Sequence, residues 1–153
     1  MKFIILGCGS SMGVPRPDGH FGNCDPKNKK NFRTRCSALI KTDKENILID
    51  TSPDLRQQLL RHKIKKIDKV FYSHMHGDQT HGINDLRSFF INNKKQINVY
   101  ADIPTSKYLN RSFSYCFKSY SKEYPAILKL NKIDNNLNLI NSNKEILIKP
   151  ITV

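Results

Sequence analysis

Apolar and polar positions fall in short blocks along the chain, and the blocks predict strands that come to alternate with helices. Residues 2–6 are an apolar run that breaks at Gly7-Cys8-Gly9-Ser10-Ser11-Met12-Gly13, a strand entering a flexible turn. Residues 14–35 are polar and rich in Pro, Gly, Asn and Lys, and a loop that long inside a domain is more often functional than idle. Residues 36–40 and 46–50 are strand-like runs on either side of Thr42-Asp43-Lys44-Glu45, which predicts a hairpin. Ser52-Pro53-Asp54 predicts a helix start, with Ser as the cap, Pro at the first position and Asp in the first turn. Leu55, Leu59 and Leu60 would form its inner face. Residues 69–73 read as a buried strand, and residues 82–92 as a second helix with Ile83, Leu86, Phe89 and Phe90 turned inward. A strand at 97–101 and a helix at 104–113 follow. Residues 127–133, 137–140 and 145–153 read as strands of an antiparallel set. With no repeat and no linker, this order predicts one α/β sheet sandwich over residues 1–153.

Composition changes the picture only in part. A chain of 153 residues fits one domain. At 38% hydrophobic residues with no Trp it is lean in core-formers but too apolar for disorder. No apolar run reaches the length of a membrane-spanning helix, so a membrane partner is not expected. The apolar N-terminus stops at Gly7 without a small-residue cleavage site, so it reads as a strand rather than a signal peptide, and a cytoplasmic chain is the expectation. Cys8, Cys24, Cys36 and Cys116 form no C-x-x-C pair, and reduced thiols are the expected state. The 26 Lys+Arg against 13 Asp+Glu give a formal charge of 26 − 13 = +13, which invites a nucleic-acid reading. The basic residues are 19 Lys and only 7 Arg, beside 15 Asn and 17 Ile, the bias of an AT-rich genome, and they are scattered. The charge therefore reads mainly as a solvated surface that would steer an anionic substrate.

The sharpest chemical signal is Ser73-His74-Met75-His76-Gly77-Asp78-Gln79-Thr80-His81-Gly82, directly after the buried run Val70-Phe71-Tyr72. Alternate side chains of an extended segment share a face, so His74, His76 and Asp78 are expected to converge just beyond the strand end. Two imidazoles and a carboxylate suit Zn2+, and also Mn2+ or Fe2+.

This segment resembles the metal-binding signature of the metallo-β-lactamase-fold hydrolases, H-x-H-x-D-H followed by a glycine. Leu6-Gly7-Cys8-Gly9-Ser10-Ser11-Met12-Gly13-Val14-Pro15 resembles the first strand and glycine turn of their phosphodiesterase branch. That branch includes the phosphoribosyl cyclic phosphodiesterase of phosphonate degradation and the tRNA 3′-end endonuclease. Ile47-Leu48-Ile49-Asp50-Thr51-Ser52-Pro53-Asp54-Leu55-Arg56 resembles the strand-then-Asp segment before the first helix. The resemblance implies an αββα sandwich, one or two zinc ions, and a water activated by metal to attack a small phosphodiester or RNA. It implies His74 and His76 as ligands of a first metal, Asp78 of a second, and Asp50 as the residue that holds the metal loop. Arg16, Arg33 and Arg35 in the long polar loop are candidate phosphate contacts, with ordinary surface charge as the alternative.

Two departures shape the expectation. Gln79 stands where the family usually has a His, and His81 either replaces that ligand or caps the helix. No histidine follows His81, although the family takes further ligands from its second half; the resemblance therefore implies the N-terminal portion of the sandwich, cut before its next ligand. His20 and His62 do not fill that gap by spacing. Three readings follow: a metal-dependent phosphodiester hydrolase present as its first half, an inactive truncated remnant of one, and a small basic nucleic-acid-binding module. The last is weakest, because Phe and Tyr fall mostly at periodic core positions without a visible stacking platform. A homodimer is left open.

Overall fold

The apolar runs become a six-stranded sheet in the computed structural model, which describes residues 1–133 and the backbone of residues 140–142 and 146–148. The strands β1 (Lys2–Gly7), β2 (Ser37–Lys41), β3 (Asn46–Ile49), β4 (Lys69–Phe71), β5 (Ile97–Asp102) and β6 (Leu128–Ile133) lie side by side in chain order. The pairs β1–β2 and β2–β3 are antiparallel, and β3–β4, β4–β5 and β5–β6 are parallel. Thr42 closes the β2–β3 hairpin: its Oγ1 accepts from the Glu45 amide at 3.0 Å, and its own amide donates to the Glu45 carbonyl. That turn sets Leu39 opposite Leu48, both fully buried.

Each parallel pair needs a crossover, and helices supply it. They are α1 (Leu55–Arg61) between β3 and β4, α2 (Gly77–Thr80) and α3 (Arg87–Asn93) between β4 and β5, and α4 (Ile103–Ser112) with α5 (Ser114–Phe117) between β5 and β6. One buried cluster joins Leu39, Leu48, Val70, Val99 and Leu128 of the strands to Leu55, Leu59, Ile83, Leu86, Leu109 and Cys116 of the helical segments, so the helices form a single layer on one face. Burial pushes the Cys116 thiol up to about 11, a small hydrophobe rather than a nucleophile. On the other face Phe3 and Ile5 of β1 stay 65% and 61% exposed. Among the described residues no helix is long and apolar enough to cross a membrane.

Several elements differ from the sequence reading. The first helix starts at Leu55 rather than at Ser52-Pro53, because the Ser52 hydroxyl accepts from the Asp54 amide at 3.1 Å and closes a turn ahead of the helix. Its inner face is Leu55, Gln58 and Leu59, whereas Leu60 is 64% exposed. Positions i, i+3 and i+4 share a helix face and i+5 leaves it. The helix expected over residues 82–92 is divided into a 3-10 turn at Ile83–Leu86 and α3, and a one-turn α2, not expected from the sequence, precedes both. The helix of α4 starts where Asp102 accepts from the Thr105 amide at 2.8 Å, with Pro104 in the first turn. Strand β6 is parallel to β5, not part of an antiparallel set, since α4 and α5 carry the chain across before it. Strands β7 (Ile140–Ser142) and β8 (Ile146–Ile148) do pair antiparallel, while residues 137–139, 145 and 149–153 of the expected strands lie outside the described residues. The long polar loop is tied to the sheet end by Gly9–Arg35 and Val14–Arg33 bridges and holds a 3-10 turn at Lys29–Asn31.

Leu48→Ala empties the middle of the core and is expected to cost about 2–5 kcal/mol in urea unfolding. Leu60→Ala is expected to stay within about 0.5 kcal/mol of the parent. Equal losses at the two positions would show that α1 turns a different face inward.

Candidate metal centre

Strand β3 ends at Ile49 and β4 at Phe71, and Asp50, one residue past the first, meets Ser73, two residues past the second, at the carboxyl ends of these neighbouring parallel strands. The Asp50 amide donates to the Phe71 carbonyl at 2.9 Å, so the ladder runs one residue past β3 before the chain turns. It turns at Asp50 itself, whose φ is 59°, in the left-handed region that Asp tolerates better than most residues. The carboxylate is buried, and both oxygens go to Ser73: Oδ1 accepts from the amide and Oδ2 from the hydroxyl, each at 2.7 Å. Burial pushes the Asp50 carboxyl up, against the pull of these two hydrogen bonds.

The same Ser73 hydroxyl lies 3.0 Å from His74 Nδ1. A hydroxyl has one proton, and here it points to the Asp50 carboxylate; Ser73 Oγ then accepts from a protonated Nδ1, which leaves His74 Nε2 as a bare lone pair. That Nε2 sits 3.1 Å from His76 Nδ1, with the rings edge to face at 4.7 Å between centroids. Both imidazoles are exposed. At Zn–N distances of about 2.0–2.1 Å and tetrahedral angles, two ligand nitrogens stand roughly 3.3–3.4 Å apart. At 3.1 Å the His74–His76 nitrogens stand close to that spacing.

The remaining residues of the segment go elsewhere. Asp78 Oδ2 accepts from Gln79 Nε2 at 2.9 Å, and the carboxylate faces the neighbourhood of Cys36, whose thiol is pushed up by burial first and then by Asp78, Cys8 and Asp50. His81 closes α2, with Nε2 3.2 Å from the Tyr108 hydroxyl and its ring edge-on to Phe113. Gln79 is buried, and its Oε1 has no hydrogen-bond partner. Among the described residues no group of three or more His, Cys, Asp or Glu gathers around a single point, so the structure brings together His74 and His76 but not Asp78 and His81 with them.

Sequence reading missed the residues that hold this loop from beneath. Thr51 donates its amide to the Gln79 carbonyl at 2.6 Å and accepts from the Gly82 amide at 2.9 Å. Its buried hydroxyl lies 2.7 Å from Tyr72 Oη and within 3.2 Å of the Gln79 and Thr80 carbonyls. Gly82 packs so closely on the Ser52 carbonyl that a Cβ would stand 2.0 Å from that oxygen. Only the position of Thr51, next to Asp50, hinted at a role; its partners lie about thirty positions away.

The three loop arginines do not converge. Arg16 pairs with Asp18 at 2.7 Å on the surface. Arg33 donates to the Lys30 carbonyl and meets no carboxylate among the described residues. Arg35 donates to Asp54 through Nε, Nη2 and its own amide, at 2.7–2.9 Å, and this contact holds the Asp54 carboxyl below the usual range.

Comparison with known proteins places the chain in a family and a fold. Residues 45–146 match the beta-lactamase superfamily domain. An octanoyltransferase of Porphyromonas gingivalis is 36% identical over 134 residues, which are 87% of this chain and 27% of that protein. A diphosphatase of the PhnP family superimposes with a TM-score of 0.75 at 30% identity, over 92% of this chain and 52% of that one. Zn2+-bound PqqB from Methylobacterium extorquens (TM-score 0.65, 20% identity, 89% and 47% covered) shares the fold. So does the short form of human tRNase Z (TM-score 0.60, 18% identity, 92% and 49%). The chain spans about half the length of these structures and about a quarter of the octanoyltransferase.

Gly82→Ala is expected to destabilise the fold by about 2 kcal/mol or more in urea unfolding, since the added Cβ meets backbone rather than a movable side chain. A near-neutral result would show that the α2 turn relaxes away from Ser52. The Arg35–Asp54 contact has a pH signature. A depressed carboxylate contributes stability above its unfolded value, about 3.9, and loses it as pH falls through the lower folded value. Asp54→Asn should therefore cost about 1 kcal/mol at pH 6, with the gap to the parent closing as the pH drops below 4. A gap constant from pH 6 to pH 2.5 would place the stabilisation elsewhere.

Proposed function

The chain belongs to the beta-lactamase superfamily, and on that premise we propose that it supplies the first-metal loop of a metal-dependent hydrolase acting on a phosphodiester. The observation that carries this is the His74–His76 pair, 3.1 Å apart at a strand end, with its tautomer set from behind by Ser73 and Asp50. Support for hydrolysis at a phosphoryl group, of which a phosphodiester is one case, comes from a 30%-identical structural neighbour named as a diphosphatase. The octanoyltransferase name describes a protein of which the match is 27%, and nothing at the histidine pair favours acyl transfer.

In this reading His74 Nε2 and His76 Nδ1 hold the ion, and imidazole donors favour Zn2+, with Mn2+ or Fe2+ as alternatives. A divalent cation there supplies Lewis acidity, polarising a phosphoryl oxygen and making water a better nucleophile near neutral pH. The chain's own residues do the positioning. Asp50 keeps Ser73 fixed, Ser73 keeps the proton on His74 Nδ1, and Thr51 with Tyr72 fixes the carbonyls at the far end of the loop. Asp78 stands in the same region for a second ion. Arg33, held by no described carboxylate, is the loop arginine best placed by its freedom to meet a phosphate, whereas Arg35 is occupied by Asp54. The substrate would be a small phosphodiester or an RNA.

The reading has a second part. A catalytic site takes at least three protein ligands, and the described residues gather two. Residues 1–153 by themselves are therefore expected to bind Zn2+ weakly and to hydrolyse no phosphodiester. In a Zn2+ titration followed by NMR, the His74 and His76 ring signals should move together, with His62 unmoved, and His76→Ala should abolish the response. Absence of any shift at His74 and His76 would overturn the metal loop. Tight stoichiometric Zn2+ with turnover of bis(p-nitrophenyl) phosphate by pure 1–153 would overturn the half-site.

A further inference from the structure

A cavity of about 690 Å3 opens between α3 and the stretch from α5 to β6, and none of His74, His76, Asp78 or Asp50 lines it. Its volume lies within the range of roughly 300–1,000 Å3 typical of small-ligand sites. Tyr115, Tyr120 and Tyr124 form part of the wall and are 50%, 66% and 63% exposed. Single exposed rings are ordinary; three of the chain's six tyrosines on one wall are not. Two are also held in place. Tyr115 Oη donates to Asn84 Oδ1 at 2.5 Å, and Tyr120 Oη lies 3.1 Å from Ser114 Oγ. With the hydroxyls occupied, the ring is the part still open to a ligand, and its ordering cost is already met.

The charge on the wall is one-sided. Arg87, Lys94 and Lys122 face a single carboxylate, Glu123, whose Oε2 accepts from Ser121 Oγ at 2.6 Å. The Arg87 guanidinium carbon stands 6.0 Å from the Tyr124 ring centroid, at the outer limit of a cation–π contact, and no carboxylate among the described residues pairs with it. Pinned rings offer a surface for a flat base, and cations beside them offer donors to phosphate oxygens. Hydrophobic side chains of Phe90 and Ile127 close the floor.

We propose that this cavity binds a nucleoside monophosphate, with the base against the tyrosines and the phosphate at Arg87 and Lys122. The site is independent of the histidine loop and needs no metal. Isothermal titration of the chain with AMP in EDTA should show one site of submillimolar affinity. Adenosine and inorganic phosphate should each bind at least about tenfold more weakly, because each has half of the recognised chemistry. Tyr120→Ala and Lys122→Glu, both on an exposed stretch, should each weaken AMP about tenfold, and Arg87→Ala at least as much, with circular dichroism unchanged. AMP affinity unmoved by all three substitutions would overturn the site. Adenosine or phosphate binding as tightly as AMP would overturn the combined recognition. A short RNA bound without any binding of AMP would overturn the small-ligand class.

Discussion

Asp50 sits where the chain has least freedom. Its backbone is left-handed, its carboxylate is buried, and the two adjacent parallel strands end on either side of it. A non-glycine residue in that conformation costs on the order of 1–3 kcal/mol, and desolvating a carboxylate adds to that. What offsets the cost is the pair of 2.7 Å bonds to Ser73, one to the amide and one to the hydroxyl. Because the amide bond fixes where the strand leaves the sheet and the hydroxyl bond fixes the His74 tautomer, one carboxylate sets both the path of the loop and the direction of its lone pair. Without Asp50, Ser73 Oγ would be free to donate to His74 Nδ1, and the bare nitrogen would then be the wrong one.

Thr51 repeats this logic one residue later. Its amide and hydroxyl take the carbonyls at the end of α2, and Tyr72, on the same strand end as Ser73, closes the arrangement from below. Burial pushes the Tyr72 hydroxyl far above its ordinary value, so it stays a neutral hydrogen-bonding group at any working pH. The loop is thus held at Ser73 by a charge and at Gln79–Thr80 by neutral groups, while the histidines between them stay exposed. The hydrogen bonds that hold the loop lie at its ends, and the side chains of the proposed chemistry lie in its middle.

The sheet, its helices and the histidine segment were legible because each rests on local signals. Short apolar runs mark β1, the hairpin and β5, and a buried run followed by H-x-H-x-D marks the strand-end loop. The differences come where a side-chain contact or the angular position on a helix decides. Ser52-Pro53-Asp54 has the composition of a helix cap, yet Arg35, nineteen positions earlier, takes the Asp54 carboxylate. The same pairing removes Arg35 from the candidates for a free phosphate contact. Leu60 was counted with the core by composition, although its angular position on α1 points it to solvent and Gln58 takes the buried place with bonds to Thr34 and Arg35. The tyrosine wall has no signature in the sequence, because its rings come from a helix end and an irregular stretch, which have no period to read.

Gln79 and His81 bear on how many ions such a loop can hold. The resemblance puts a histidine at position 79, and the amide there is buried with its Nε2 on Asp78. It acts on the carboxylate's orientation from inside rather than replacing an imidazole at the surface. His81, the other candidate, is turned to Tyr108 and Phe113, and Gly77 leaves room for its ring, since a Cβ there would stand 3.0 Å from it. A position for a second ion would then have Asp78 as its one donor from this loop. One carboxylate is a weak site for any divalent ion beside a pair of aligned imidazoles. In the proposed reading the loop would accordingly be asymmetric, with a first position held from behind by Asp50 through Ser73 and a second drawing on Asp78 alone from this loop.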